Sequence, residues 1–368
     1  MIEPVLNIQD VKLEGRWVCD YEARSLMTAW AGSSISFIFS GTNLKLVCGE
    51  RTERKDKWNG GVPMLAVSMI PDSASVPRSQ YKWTMLDPQS GSTLHLIEKE
   101  EATPSEILVK VMMVDWASQF ELKCLLTNEE ATIRGPPIVH RDRILFIGDS
   151  ISCGYFVQQD GSPIPGHTPR GCLDAFPYVA QRLLSVDQSY NFDVDLVAYP
   201  GWALVSPTDE EQMEGNPLGM LKGYFQISPW MVEQYDYKYW ADVSAIVIEL
   251  GTNDQEYYSA ERFVADLHAF LLNLAQQIPS MSHILVVPPF GNEGQPTGFQ
   301  QEFSAIIEKL RKEFTQLDIC DITVCIEHID TIDGIHPSVE GHRKLGIEMA
   351  RFIHTRLVDP SALRRPLS

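Results

Sequence analysis

Arg143-Ile144-Leu145-Phe146-Ile147-Gly148-Asp149-Ser150-Ile151-Ser152-Cys153-Gly154-Tyr155 is the stretch that decides how this chain is read. Four apolar residues over 144–147 run without alternation, the mark of a strand buried on both faces. Gly148 ends that run, and Asp149-Ser150 opens the next element, Asp being a helix-capping residue. A strand-to-helix turn of this kind exposes a serine at the sheet edge, where the dipole of the following helix favours negative charge. Alone, the triplet Gly148-Asp149-Ser150 is explained as well by an ordinary cap or turn.

Outward from this turn the pattern alternates strand with helix. Helical spacing is read over 176–184, strands over 194–198 and 245–250, and a helix over 259–278. That helix places Phe263, Leu267, Phe270, Leu271, Leu274 and Ile278 on one face, with Ser259 as its cap. A strand over 283–287, a helix over 299–314, a strand over 322–326 and a closing helix over 339–357 complete the series. Apolar strands alternating with helices imply a parallel sheet covered on both faces, with ligands at the carboxyl ends of its strands. Upstream the period is two: Ile35, Phe37 and Phe39 alternate with Ser34, Ser36 and Ser40. Further strand-like runs lie at 44–48, 64–70, 93–97, 107–114 and 120–126, with no helical period between them. That half reads as a sandwich of short strands. Arg134-Gly135-Pro136-Pro137 breaks the pattern and is read as a linker.

With 368 residues the chain has room for two domains, and 44% hydrophobic with 21% charged residues is ordinary globular usage. Thirty basic against 49 acidic residues give a net charge of −19. That balance disfavours nucleic-acid and anionic-membrane partners, which need a basic surface, and suits a neutral substrate. No apolar run reaches the ~18–20 residues of a membrane helix. Met1-Ile2-Glu3-Pro4 has neither a basic region nor an apolar core, and the seven cysteines sit mostly in apolar runs. A cytoplasmic chain without a disulfide framework is the expectation, and the oligomeric state is not legible.

Three further motifs stand at strand ends. Asp333-Gly334-Ile335-His336 precedes the last helix, and an Asp three residues before a His can fix its tautomer. Gly251-Thr252-Asn253-Asp254 offers an amide donor, and Pro200-Gly201-Trp202 offers a bare backbone N–H. Each has a plain structural explanation alone. Together they converge on one sheet edge and supply a nucleophile, a base with its orienter, and oxyanion donors, the inventory of acyl transfer.

These blocks resemble the four blocks of the SGNH (GDSL-type) hydrolase superfamily, in the same order, over roughly residues 138–368. The resemblance implies Ser150 as nucleophile, His336 as base and Asp333 as its orienter, with the Ser150 and Gly201 amides and Asn253 as the oxyanion hole. Gly15-Arg16-Trp17, Trp30-Ala31-Gly32-Ser33-Ser34 and Phe39-Ser40-Gly41-Thr42 resemble the jelly-roll domain of carbohydrate esterase family two, two-domain enzymes that remove O-acetyl groups from sugars. The implied fold is α/β: a three-layer α/β/α flavodoxin-like domain over 141–368, preceded by an all-β jelly-roll sandwich over 1–133 and a linker over 134–140. The implied function is a cofactor-free serine esterase acting on a small acyl ester, foremost O-acetyl, of a sugar or neutral metabolite. An acyltransferase or thioesterase on the same site and a non-catalytic carbohydrate-binding protein remain open alternatives.

Three features depart from the family pattern. Trp202-Ala203-Leu204 follows Gly201, and Glu249 stands two residues before Gly251, where a neutral residue is expected. The missing leader disfavours a cell-wall polymer such as xylan or mannan and favours a small intracellular ester. Around the site, Trp202 and Trp230 are candidate substrate contacts, though a packed aromatic is the commoner fate of such a residue. The segment 206–230 is either a substrate wall or a surface insertion. His167 and Arg170 within 161–172 are candidate rim residues. No metal is expected, because no His-Glu-x-x-His or Cys-x-x-Cys spacing occurs. His328 and His342 lack an Asp three residues before them and are weaker bases than His336.

Overall fold

Ile35, Phe37 and Phe39 are sealed from solvent, and the sheet that carries them explains why. The strand Ser34–Ser40 pairs antiparallel with Ile107–Met113, Lys12–Glu14 and Thr132–Arg134. Leu65–Pro71 and Trp83–Leu86 complete a six-stranded sheet. A second, seven-stranded antiparallel sheet is built around Ser118–Thr127, which pairs with Pro4–Val5, Ser25–Thr28, Asn43–Cys48 and Glu53–Arg54. Phe37, Phe39, Val109 and Val111 of the first sheet share one core with Leu44, Leu46, Phe120 and Leu122 of the second. Burying each such side chain stabilises the fold by about 1.5–3 kcal/mol. Ser34 and Ser36, which alternate with Ile35, Phe37 and Phe39, are buried too. Ser34 Oγ donates to Glu14 Oε2 (3.0 Å), and Glu14 also pairs with Lys110. A buried ionic layer thus replaces solvent on that face.

The computed structural model describes residues 4–5, 10–56, 64–71, 80–100, 106–137, 141–155, 170–186, 190–213, 218–236, 242–290 and 298–359. It divides into two compact units, Met1–His140 and Arg141–Ser368, the first of which is the antiparallel unit above.

In the second unit β1 (Asp142–Gly148), β2 (Phe192–Ala198), β3 (Val243–Glu249), β4 (His283–Val287) and β5 (Leu317–Ile319) form one parallel sheet, in the order β2-β1-β3-β4-β5. This is the flavodoxin-like order, which opens a crevice at the carboxyl ends of β1 and β3 where the winding reverses. Besides the short helices Asp209–Met213 and Met220–Gly223, the helices are α1 (Ser150–Cys153), α2 (Phe176–Val186), α3 (Asp254–Tyr257), α4 (Ala260–Gln277), α5 (Gly298–Leu310) and α6 (Val339–Ile353). Of these, α2 packs on α6 and α4 on α5. Ile144, Leu145, Phe146 and Ile147 are fully buried, as an unalternating run in a doubly covered strand requires. The stripe Phe263, Leu267, Phe270, Leu271 and Leu274 of α4 is buried, and Ser259 Oγ caps the helix by accepting Arg262 N–H (3.3 Å).

One strand is misplaced by the sequence reading. Residues 322–326 form no strand; a 3-10 turn covers Thr323–Cys325, and the last strand is β5, five residues earlier. The alternation Ile322, Val324, Ile326 imitates a strand, but Val324 is 77% exposed while Leu317 and Ile319 pair with Ile284 and Val286.

Candidate active site

Ser150 opens α1 directly beyond β1. Asp149 caps the turn: its Oδ1 accepts Ile151 N–H at 3.0 Å. Gly148 is required by close approach, since a Cβ there would lie 2.1 Å from Ser152 Oγ and 3.0 Å from Glu249 Oε2. A larger residue would push the serine turn off the sheet edge.

The loop before α6 brings the second block to the serine. His336 Nε2 lies 3.0 Å from Ser150 Oγ, and His336 Nδ1 lies 2.6 Å from Asp333 Oδ2. The loop is closed by Ile332 N–H donating to His336 C=O (2.8 Å). Asp333 Oδ1 accepts the N–H groups of Ile335 (3.1 Å) and His336 (2.8 Å), so one carboxylate shapes the loop and orients the ring. Partial burial works against ionisation of Asp333, but the His336 ring and these N–H groups outweigh it and hold its pKa well below the ordinary carboxyl value. Tyr155 packs its ring on His336, with centroids 4.7 Å apart. His342 is buried in α6; burial, then the nearby His336, push its pKa down to about 3, so it stays neutral. His328 is exposed.

The remaining blocks meet through Asn253. Its Nδ2 donates to Asp149 Oδ2 (3.0 Å) and to Trp202 C=O (3.1 Å), joining the ends of β1, β2 and β3. Gly201 adopts φ +77°, left-handed backbone that disfavours any L side chain, and faces open space. Trp202 is not a presented aromatic. Its indole is 5% exposed, wedged at Gly223 and packed on Tyr199 (5.1 Å). Trp230, half-buried, meets Tyr199 edge-on at 5.8 Å. Arg170 bonds Asp174 (2.9 Å), and His167 lies outside the described residues. The described part of 206–230 is anchored to α4: Arg262 reaches Glu211 (2.6 Å) and Ser206 C=O (3.0 Å).

Sequence reasoning missed Asp254. It is fully buried and accepts Leu204 N–H (2.8 Å) and Val205 N–H (2.9 Å), pinning the loop after Gly201 to the start of α3. Burial, against those two amides, pushes its pKa up to about 7. Its place beside Asn253 in the sequence was the available signal. Tyr155 and Tyr199 were also missed, and each was signalled only by adjacency to a motif.

A serine-histidine-aspartate line at the carboxyl edge of a doubly wound sheet is an arrangement suited to acyl transfer. Residues 146–344 match the family model of the GDSL-like Lipase/Acylhydrolase family. The chain belongs to that family. A multidomain esterase of Ruminococcus flavefaciens is 26% identical over 228 residues, covering 55% of this chain and 27% of that protein. The chain thus spans about a quarter of that relative's length. Among solved structures, a family two carbohydrate esterase from Cellvibrio japonicus aligns with TM-score 0.70 at 16% identity, covering 94% of this chain and 95% of its own. One from Clostridium thermocellum, in complex with cellohexaose, aligns with TM-score 0.70 at 18% identity, covering 94% and 99%. At these identities the likeness is one of fold.

Proposed function

We propose that this chain is a serine esterase that hydrolyses a small acyl ester, foremost an O-acetyl ester of a sugar or neutral metabolite, through an acyl-enzyme. The observation that carries this reading is the unbroken line from Ser150 Oγ to His336 Nε2 (3.0 Å) and from His336 Nδ1 to Asp333 Oδ2 (2.6 Å). His336 takes the hydroxyl proton as Oγ attacks the ester carbonyl, and the ionised Asp333 fixes the tautomer and steadies the imidazolium. The oxyanion collects on the amides of Ser150 and Gly201 and on Asn253. Asn253 reaches it by releasing the Trp202 carbonyl while keeping Asp149, so the donor is held before charge develops. Collapse expels the alcohol, protonated by His336, and water activated by the same ring cleaves the acyl-enzyme.

The net charge of −19 supports a neutral substrate, and the likeness to family two carbohydrate esterases supports a sugar ester. The test is hydrolysis of 4-nitrophenyl acetate, butyrate and octanoate by the wild type and by Ser150→Ala. The expected result is acetate preference and a fall in kcat of at least ~10⁴ in the variant. Retained turnover in Ser150→Ala overturns the nucleophile assignment, and rates rising with chain length replace the acetyl ester by a longer acyl group. Adding sugar acceptors and analysing products separates hydrolysis from transfer.

A further inference from the structure

Beneath Ser150 the ends of β1 and β3 bring two acids together that the reaction scheme above does not use as acids. Asp149 is fully buried and Glu249 is 1% exposed. Gly148 and Glu249 are register partners, so the glutamate side chain crosses the glycine toward α1. The two carboxyls are thus held beside each other out of water. Two carboxylates only accept and repel, so their burial together favours a proton on one of them.

The surrounding donors say where the proton sits. Asp149 receives an N–H on each oxygen, from Ile151 (3.0 Å) and from Asn253 Nδ2 (3.0 Å). Glu249 accepts the Ser152 hydroxyl at Oε2 (2.7 Å) and is also approached by the Asp149 backbone N–H, while its Oε1 has no hydrogen-bond partner among the described residues. The groups facing the pair are Ser150 and Ser152 of α1, Asn253 and Asp254 at the start of α3, and the His336 ring. Ala198 of β2 and Val287 of β4, opposite Gly148 and Glu249, add no charge. No lysine or arginine among the described residues pairs with either acid. Burial, then the charge of Asp149, push the Glu249 carboxyl well above its ordinary range.

We infer that Asp149 and Glu249 share one proton, carried by Glu249, and that this neutral acid is a positioning residue: it leaves a single negative charge, on Asp149, to aim the Asn253 amide. A second charge there would oppose the oxyanion that Asn253 receives. The functional half of the inference rests on the serine esterase reading; the protonation half does not.

The test pairs infrared spectroscopy with kinetics on the intact chain. Wild type and Ser150→Ala at pH 8 are expected to show the C=O stretch of a protonated carboxyl that is absent from Glu249→Gln. Glu249→Gln, whose amide still donates to Asp149, is expected to keep kcat within about threefold. Glu249→Leu removes the donor and is expected to lower kcat about 10- to 100-fold, the worth of a hydrogen bond to a charged group, with KM little changed. Absence of the band, or a band that survives Glu249→Gln, overturns the shared proton. Equal kcat in Glu249→Gln and Glu249→Leu, both folded by circular dichroism, overturns the positioning role. A band present in Ser150→Ala while that variant retains turnover defeats the esterase reading instead.

Discussion

Two sets of carboxylates flank Ser150, and the fold treats them oppositely. Asp333 is half exposed, accepts three N–H groups including the His336 ring, and is held ionised. Asp149, Glu249 and Asp254 are almost wholly buried, and each is pushed toward its neutral form. Asp149 and Asp254 each accept two N–H groups, so hydrogen bonding alone does not separate the sets. Water does: a carboxylate with donors and solvent stays charged, whereas one with donors but neither solvent nor a cation is pushed toward protonation. The exposed carboxylate is suited to orienting the imidazole ring and the buried set to holding backbone and amide groups still.

That division can be broken experimentally. Asp333→Asn is expected to lower kcat by ~10²–10⁴, because an amide no longer fixes the tautomer that accepts from Ser150, with a small change in Tm. A rate within tenfold of wild type would put the orienting role elsewhere. Asn253→Ala is expected to lower kcat by about 10²–10³, the worth of one oxyanion donor, and an unchanged rate would remove it from the oxyanion hole. Asp254→Asn tests the buried set: it faces two backbone N–H groups with an amide that can no longer accept both, at a cost of about 1–3 kcal/mol in urea unfolding. A loss of rate without loss of stability would move Asp254 into the chemistry.

The smallest expected effect is one of sign. Asp149 and Asp254 have native pKa values raised to about 6 and about 7. The native state therefore binds more protons than the unfolded chain above the ordinary carboxyl range, and their contribution to stability falls as pH rises from about 4 through 7. Asp333, with its native pKa lowered, contributes stability that is lost as pH falls through the acid range. Stability of Asp254→Asn measured from pH 5 to 8 should decline less steeply than that of the wild type; an identical slope would show Asp254 ionised throughout.

Much of this was legible in the chain. The unalternating run at 144–147 gives a doubly covered strand, and Gly148-Asp149-Ser150, Gly251-Thr252-Asn253-Asp254 and Asp333-Gly334-Ile335-His336 fall at the ends that the alternating pattern assigns to one edge. What escaped depends on distant partners. Trp202 is packed because Gly223 leaves room for its indole, a fact 21 residues removed. Glu249 stood out as an acid in an apolar strand, but its push toward the neutral form follows from burial beside Asp149 with no basic partner among the described residues, neither a local property. The last strand was misplaced because Ile322, Val324 and Ile326 carry a period of two that tertiary pairing overrides.

The strand order has a consequence for the chain during its own synthesis. β1, an interior strand, is the first of its sheet to be made, yet Ile144 pairs with Val194 on one side and with Ala245 on the other. At ribosomal rates of about 5–20 residues per second, the Ile144-Leu145-Phe146-Ile147 run waits on the order of 5–20 s for its second neighbour. During that interval it is a naked, uncharged, β-branched edge of the kind that captures other chains. The segment that carries the serine turn in the finished protein is thus exposed to misassembly in the nascent one, and a chaperone that binds short apolar strands would find purchase there.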